Sequence, residues 1–192
     1  MPETQGKIII FTGNAKGKTT AALGLAVVAA ANNQSATVIQ FLKGGGYTGE
    51  LSAQQFLAPY LQIRQFGYGC SRADAIRLGS GKCNKCGVCF RENCRPKHGF
   101  AVAACDYAEQ VVTAATNGIV VLDEISHAIR RGLLPLERVS ALIAKRPPGL
   151  TMVLTGRQMP DELIKLADQV TECVMVKHPL TAGIDARRGS EY

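Results

Sequence analysis

At 192 residues the chain is long enough to bury a core without disulfide staples. Its 46% apolar and 19% charged content exclude an intrinsically disordered protein. The net charge of +7 favours an anionic partner, yet the Lys and Arg residues are dispersed rather than massed in one run, which argues against nucleic acid.

The N-terminal residues MPETQGK lack the basic and apolar regions of a secretory leader, and the apolar stretch Thr19–Ala31 is too short to span a bilayer. A cytoplasmic protein without membrane association is expected, with its thiols reduced unless metallated. Strands are predicted at Lys7–Thr12, Ala36–Phe41, Leu61–Phe66, Ile119–Asp123, Thr151–Thr155 and Gln169–Val176. Between them the pattern predicts helices near residues 18–31, 49–57, 99–116, 136–145 and 161–167. Short buried strands alternating with helices imply an α/β fold, a mostly parallel sheet with helices on both faces. One nucleotide-binding domain over residues 1–192 accommodates these elements. The stretch 67–98 fits neither period and reads as a Cys-rich insertion.

The first strand runs into Thr12-Gly-Asn-Ala-Lys-Gly-Lys-Thr-Thr20 and then a helix. Gly17-Lys18-Thr19 matches the end of a G-x-x-x-x-G-K-[ST] phosphate loop, although Thr12 stands where the first glycine would fall and Gly13 comes one residue late. Successive backbone N–H groups, the helix N-terminus and Lys18 suit a polyphosphate, and the Thr19 hydroxyl suits Mg²⁺. Asn14 and Lys16 add donors. The strand Ile119–Asp123 ends in Asp123 and Glu124, two carboxylates at the edge where α/β sheets bind ligands. Loop and acidic pair together predict a fold like that of P-loop NTPases, RecA-like in its sheet, that binds a Mg²⁺–nucleotide.

Four of the seven cysteines, Cys83, Cys86, Cys89 and Cys94, follow a C-x2-C-x2-C-x4-C pattern. Zinc, an iron–sulfur cluster and unmetallated thiols all remain open. Zinc pairs usually stand farther apart, whereas bacterial ferredoxins space their run C-x2-C-x2-C-x3-C-P. Cys105 and Cys173 fall in helix and strand patterns and are expected in the core; Cys70 is a turn residue or a fifth thiol near the site.

The blocks TGNAKGKTTAALGLA, VIQFLKGG…GE, VLDEISHAIRRGLL, LTGRQMPDELIKLADQVTE, KHP and GIDARRGSEY resemble, in order, the P-loop type of cob(I)alamin/corrinoid ATP:adenosyltransferase. The resemblance implies transfer of the 5′-deoxyadenosyl group of ATP to Co(I) of a reduced corrinoid, with triphosphate released, in cobalamin biosynthesis or salvage. ATP would lie with its γ end in the loop, reversed relative to P-loop hydrolases. Gly13, Asn14, Ala15, Lys16, Gly17, Lys18, Thr19 and Thr20 would hold the triphosphate. Lys18, Thr19 and Glu124 would act on the leaving group, with Thr19 and Glu124 as Mg²⁺ ligands and Asp123 close by. Arg157, Lys177 and His178 fall in family blocks near the ligands without assigned roles. The resemblance also implies a homodimer, and an electron donor such as a flavoprotein or ferredoxin to make Co(I).

Two departures from the family stand out. Relatives with well-understood corrinoid sites have an N-terminal extension, whereas this chain reaches its loop after about a dozen residues. Their aromatics after a G-x-G turn are replaced here by Cys70 and Arg72 in FGYGCSR, with Phe66 and Tyr68 the nearby aromatics and no Trp in the chain. An iron–sulfur cluster at the four cysteines would supply an electron to Co(II). A thymidine kinase-type P-loop kinase with a four-cysteine metal site, and a zinc-dependent nucleic-acid-binding NTPase, are the rival readings.

Overall fold

The computed structural model describes residues 5–45, 49–78, 80–81 and 88–177. Six strands form one parallel sheet: β1 (Ile8–Thr12), β2 (Ala36–Phe41), β3 (Leu61–Phe66), β4 (Asn117–Asp123), β5 (Gly149–Thr155) and β6 (Gln169–Glu172). Their spatial order is β3-β2-β4-β5-β1-β6, with every pairing parallel. All six carboxyl ends therefore share one edge. Strand β5 lies between β1 and β4, so the phosphate loop and the acidic pair flank the end of β5.

Because successive strand side chains point to opposite faces, a wholly apolar strand feeds two cores at once. Ile8 and Ile10 belong to one buried cluster with Leu122, Met152 and Leu154, whereas Ile9 and Phe11 join Val38, Val121 and Val153 in the other. The second cluster is covered by α1 (Lys18–Ala31), whose Ala22, Ala26, Ala29 and Ala30 recur at helical spacing and bring its axis close to the sheet. The first is covered by α5 (Phe100–Ala114), α7 (Leu136–Ala144) and α8 (Asp161–Leu166), through Ala104, Ala108, Val139, Leu142 and Leu163. Arg138 with Asp106 and Lys145 with Glu109 add surface ion pairs between α5 and α7. The α/β sandwich with helices on both faces is as the sequence predicts.

Several expectations are corrected. Strand β6 stops at Glu172 instead of reaching Val176, because the backbone of residue 173 turns onto the phosphate loop. Its N–H donates to the Thr12 carbonyl (2.8 Å) and its carbonyl accepts from the Ala15 N–H (3.1 Å). Cys173 is accordingly half-buried and not a core residue, whereas Cys105 is buried as expected. Helix α6 (Ile125–Arg130) has no counterpart among the expected helices. The 67–98 stretch is not irregular throughout: it contains α3 (Ala73–Arg77), α4 (Val88–Asn93) and a 3-10 turn at Pro96–His98. Helix α2 (Glu50–Leu57) completes the set. Among the described residues no helix is long and apolar enough to cross a membrane.

Candidate active site

The turn between β1 and α1 wraps around its own lysine. The Lys18 ammonium donates to the carbonyls of Gly13 (2.8 Å) and Ala15 (2.6 Å), and the residue is 6% exposed. Gly13 has φ 97° and Gly17 φ 106°, left-handed values that glycine tolerates. At Gly13 a Cβ would also meet the Cys173 carbonyl at 2.4 Å, so the shifted glycine of the motif is where the loop packs against the end of β6. Asn14, Lys16, Gly17 and Thr20 are exposed on the loop and Ala15 is buried. Burial draws the Lys18 ammonium below its ordinary value, against the attraction of Glu124.

Thr19 points across the edge to β4. Its hydroxyl donates to Asp123 Oδ1 (2.8 Å), and the Thr155 hydroxyl, from the end of β5 between them, donates to the same oxygen (2.6 Å). Asp123 Oδ2 takes the Lys43 ammonium (2.6 Å) and the Gln40 amide (3.1 Å). Burial by itself would push the fully enclosed Asp123 carboxyl up; Lys43, with the donations from Thr155 and Thr19, outweighs it and holds the carboxyl below the usual range. Lys43 is correspondingly raised: burial opposes its charge, but Asp123 beside it prevails. Lys43 also lies 3.4 Å from the Thr19 hydroxyl. Behind it, Gln65 donates to Gln40 (2.7 Å) and Gln40 donates to Glu50 (3.0 Å), a half-buried relay that fixes which Gln40 atom faces Asp123.

Glu124 caps α6 in the left-handed region at φ 64°, a costly conformation for a residue with a side chain. Its N–H donates to the Thr155 hydroxyl (3.0 Å), so Thr155 holds both members of the acidic pair. Burial pushes the Glu124 carboxyl up, against the pull of Lys43 and with a further push from Asp123. Helix α6 is seated by Ser126, whose hydroxyl donates to the Arg157 carbonyl (2.8 Å). Gly156, at φ 142°, must be glycine there, because a Cβ would lie 2.0 Å from that hydroxyl. This contact joins the DEIS and TGR blocks. Arg157 is exposed and acts electrostatically on both Lys18 and Glu124.

Lys18, Thr19, Asp123 and Glu124 therefore converge, as the motif spacing predicts. The hydroxyl and carboxylate oxygens form a hard donor set suited to a divalent cation, and the exposed loop is suited to phosphates. Lys43, Gln40, Glu50 and Thr155 were missed as site residues. Gln40 carried a signal, being a long amide side chain in a wholly buried, largely apolar strand. Lys177 is exposed, and His178 lies outside the described residues. So do Cys83 and Cys86; Cys89 and Cys94 are half-buried on and just after α4, and burial pushes the Cys94 thiol up. Among the described residues no group of three or more metal-ligating side chains gathers. Near the G-x-G turn, Tyr68, His98 and Phe100 pack on one another at 4.8–5.3 Å between ring centroids, while Phe66 packs against Tyr107.

The family model described as ATP:corrinoid adenosyltransferase BtuR/CobO/CobP matches residues 4–192. Among curated relatives, corrinoid adenosyltransferase CobA of Salmonella typhimurium is 30% identical over 190 residues, covering 99% of this chain and 87% of the relative. The corrinoid adenosyltransferase of Pseudomonas aeruginosa is 32% identical (99% and 85% covered) and that of Escherichia coli K12 31% (99% and 87%). The chain belongs to the ATP:corrinoid adenosyltransferase family.

Proposed function

We propose that this protein transfers the 5′-deoxyadenosyl group of ATP to the cobalt of a reduced corrinoid. Co(I) attacks C5′, the Co–C bond forms, the C5′–O bond breaks, and triphosphate leaves with the electron pair. The carrying observation is the joining of a glycine-bearing phosphate loop, through Thr19, to a buried Asp123 held ionised, in a chain matched to the family over residues 4–192. Beside it, the loop's backbone N–H groups and the Lys18 ammonium suit negative charge on a leaving group. No general base is required, because the nucleophile belongs to the substrate.

In this reading the backbone N–H groups of residues 13–14 and 16–20 and the Lys18 ammonium bind the triphosphate, while the Ala15 N–H is held by the Cys173 carbonyl, and these donors favour the charge that grows as C5′–O breaks. Lys18 is already folded over the loop, so it is pre-organised for that role. Thr19 and Glu124, a hydroxyl and a carboxylate, fit Mg²⁺, with the enclosed, ionised Asp123 close by and holding the Thr19 hydroxyl. When bound, the ion would supply further positive charge to the phosphate oxygens. Lys43 and Gln40 orient Asp123, and Thr155 fixes Glu124 beside it.

The test is incubation with ATP, Mg²⁺ and chemically reduced cobalamin. Light-sensitive Co–C product and stoichiometric triphosphate are expected; ADP and phosphate instead would favour the kinase rival and defeat the reading. We further assign the Cys83, Cys86, Cys89 and Cys94 run, on its spacing, to a thiolate metal site. Iron, acid-labile sulfide and zinc in anaerobically purified protein decide between cluster and zinc, and a metal-free protein refutes both. Light scattering tests the expected homodimer.

A further inference from the structure

Asn93, the last residue of α4, is 2% exposed although its helix closes the Cys-rich run. A buried amide must find partners, and this one joins two loops. Its Nδ2 donates to the Leu42 carbonyl (2.9 Å) and the Tyr68 carbonyl (3.0 Å), and its Oδ1 accepts from the Tyr68 N–H (2.8 Å). Leu42 is held at φ 60° with its side chain fully buried, a conformation that bulky residues avoid unless their surroundings impose it. The next residue is Lys43, whose ammonium meets Asp123. The backbone from which Lys43 reaches is thus pinned by a side chain far along the chain.

The two loops also touch backbone to backbone. A Cβ on Gly44 would lie 1.9 Å from the Gly67 carbonyl oxygen. One on Gly67 would lie 2.6 Å from Asn93 Nδ2 and 2.9 Å from the Lys43 carbonyl oxygen. With such contacts the loop at 42–45 has little freedom to slide on the loop at 67–69, and the Asn93 amide lies in the seam.

We propose that Asn93 is a positioning residue for the nucleotide site, acting through Lys43. It touches neither Asp123 nor the phosphate loop. It sets the Leu42–Lys43 backbone so that the ammonium meets Asp123 and Thr19, and α4 is thereby part of the site's construction. The proposal rests on the adenosyltransferase reading of that site. An Asn93 that only anchored α4 would lower stability and leave the ATP parameters of the folded molecules unchanged.

The test uses the full chain with Asn93→Ala, Asn93→Asp and Gly67→Ala, each alone and with Lys43→Ala. KM for ATP and kcat are measured at saturating reduced cobalamin, with Mg–ATP affinity by titration and Tm alongside. Asn93→Ala is expected to raise KM for ATP roughly tenfold while kcat changes less than about threefold, and to add less than about twofold once Lys43 is Ala, the non-additivity of coupled residues. Asn93→Asp keeps the shape but loses both donations, and is expected to match it. Gly67→Ala crowds both the amide and the Lys43 carbonyl and is expected to shift KM the same way; if Asn93→Ala does not fold, Asn93→Asp, which keeps the side chain's shape, decides the matter. Unchanged ATP affinity in these variants, or an equal shift with and without Lys43, overturns the proposal. If wild-type protein binds Mg–ATP but forms no Co–C product, the adenosyltransferase reading fails, while the titration still reports the Asn93 effect.

Discussion

Replacing Lys43 with Met would leave the Asp123 carboxylate enclosed with its counter-ion gone. Asp123 is 0% exposed and Lys43 22% at the side chain, so the pair is buried on the acidic side and partly open on the basic side. Breaking a buried pair by removing one partner costs about 3–5 kcal/mol. Asp123 keeps its hydrogen bonds from Thr19, Thr155 and Gln40, which compensate part of the stranded charge. We therefore expect a loss of about 2–3 kcal/mol, a fall in Tm of about 5–10 °C for a domain of this size. Asp123→Asn removes the charge and lets Lys43 turn to water, so it should cost only about 1 kcal/mol. The double variant should resemble Asp123→Asn, not the sum of the two. The assay is urea or thermal unfolding of the apo protein in EDTA. A Lys43→Met protein as stable as wild type, or an Asp123→Asn protein less stable than Lys43→Met, refutes the account of the pair as an enclosed carboxylate held by its lysine.

The same pair sets an acid dependence. The Asp123 carboxyl is depressed in the folded state, so its stabilisation is present above the unfolded value of about 3.9 and lost as pH falls through the folded value. Wild type in EDTA should lose this contribution on acidification and Asp123→Asn should not, as parallel unfolding curves would show. Glu124→Gly relieves a left-handed residue, a gain of up to about 1 kcal/mol, because the strain of about 1–2 kcal/mol exceeds the extra entropy glycine loses. That variant should melt higher while losing adenosyl transfer; a lower Tm contradicts the strain argument. Lys18→Ala should lower kcat/KM roughly 10²–10³-fold. Its unfolding midpoint should fall modestly, since among the described residues the ammonium's hydrogen bonds run to carbonyls of its own loop and tie no second element to it.

The strands, the phosphate loop and the acidic pair were legible in the chain because each is encoded locally. The apolar runs of β1, β2, β4 and β5 are largely buried on both faces once paired, and Gly17-Lys18-Thr19 must sit at a helix start for its N–H groups to be free. Two such local signals also implied each other, since a loop after β1 and carboxylates after β4 share an edge in any parallel sheet. The family blocks followed the same logic, and the contacts of Ser126 with Arg157 and of Gln40 with Asp123 give them physical content.

Pairing across the chain left no such trace. Lys43 looks like any surface lysine after a strand until β2 is placed beside β4, which puts its ammonium against a carboxylate eighty residues away. Asn93 looks like a polar residue in a Cys-rich loop, and Cys173 like the interior of a strand. The fold buries the first between two turns and bends the second onto the phosphate loop. The order of residues determined the sheet, its two apolar faces and the loop that receives phosphate, because periodicity and turn chemistry act over a few neighbours. Which cation neutralises Asp123, which hydroxyl carries Glu124 and which amide holds the Lys43 loop were decided by strand order and close packing, where partners are chosen by distance in space.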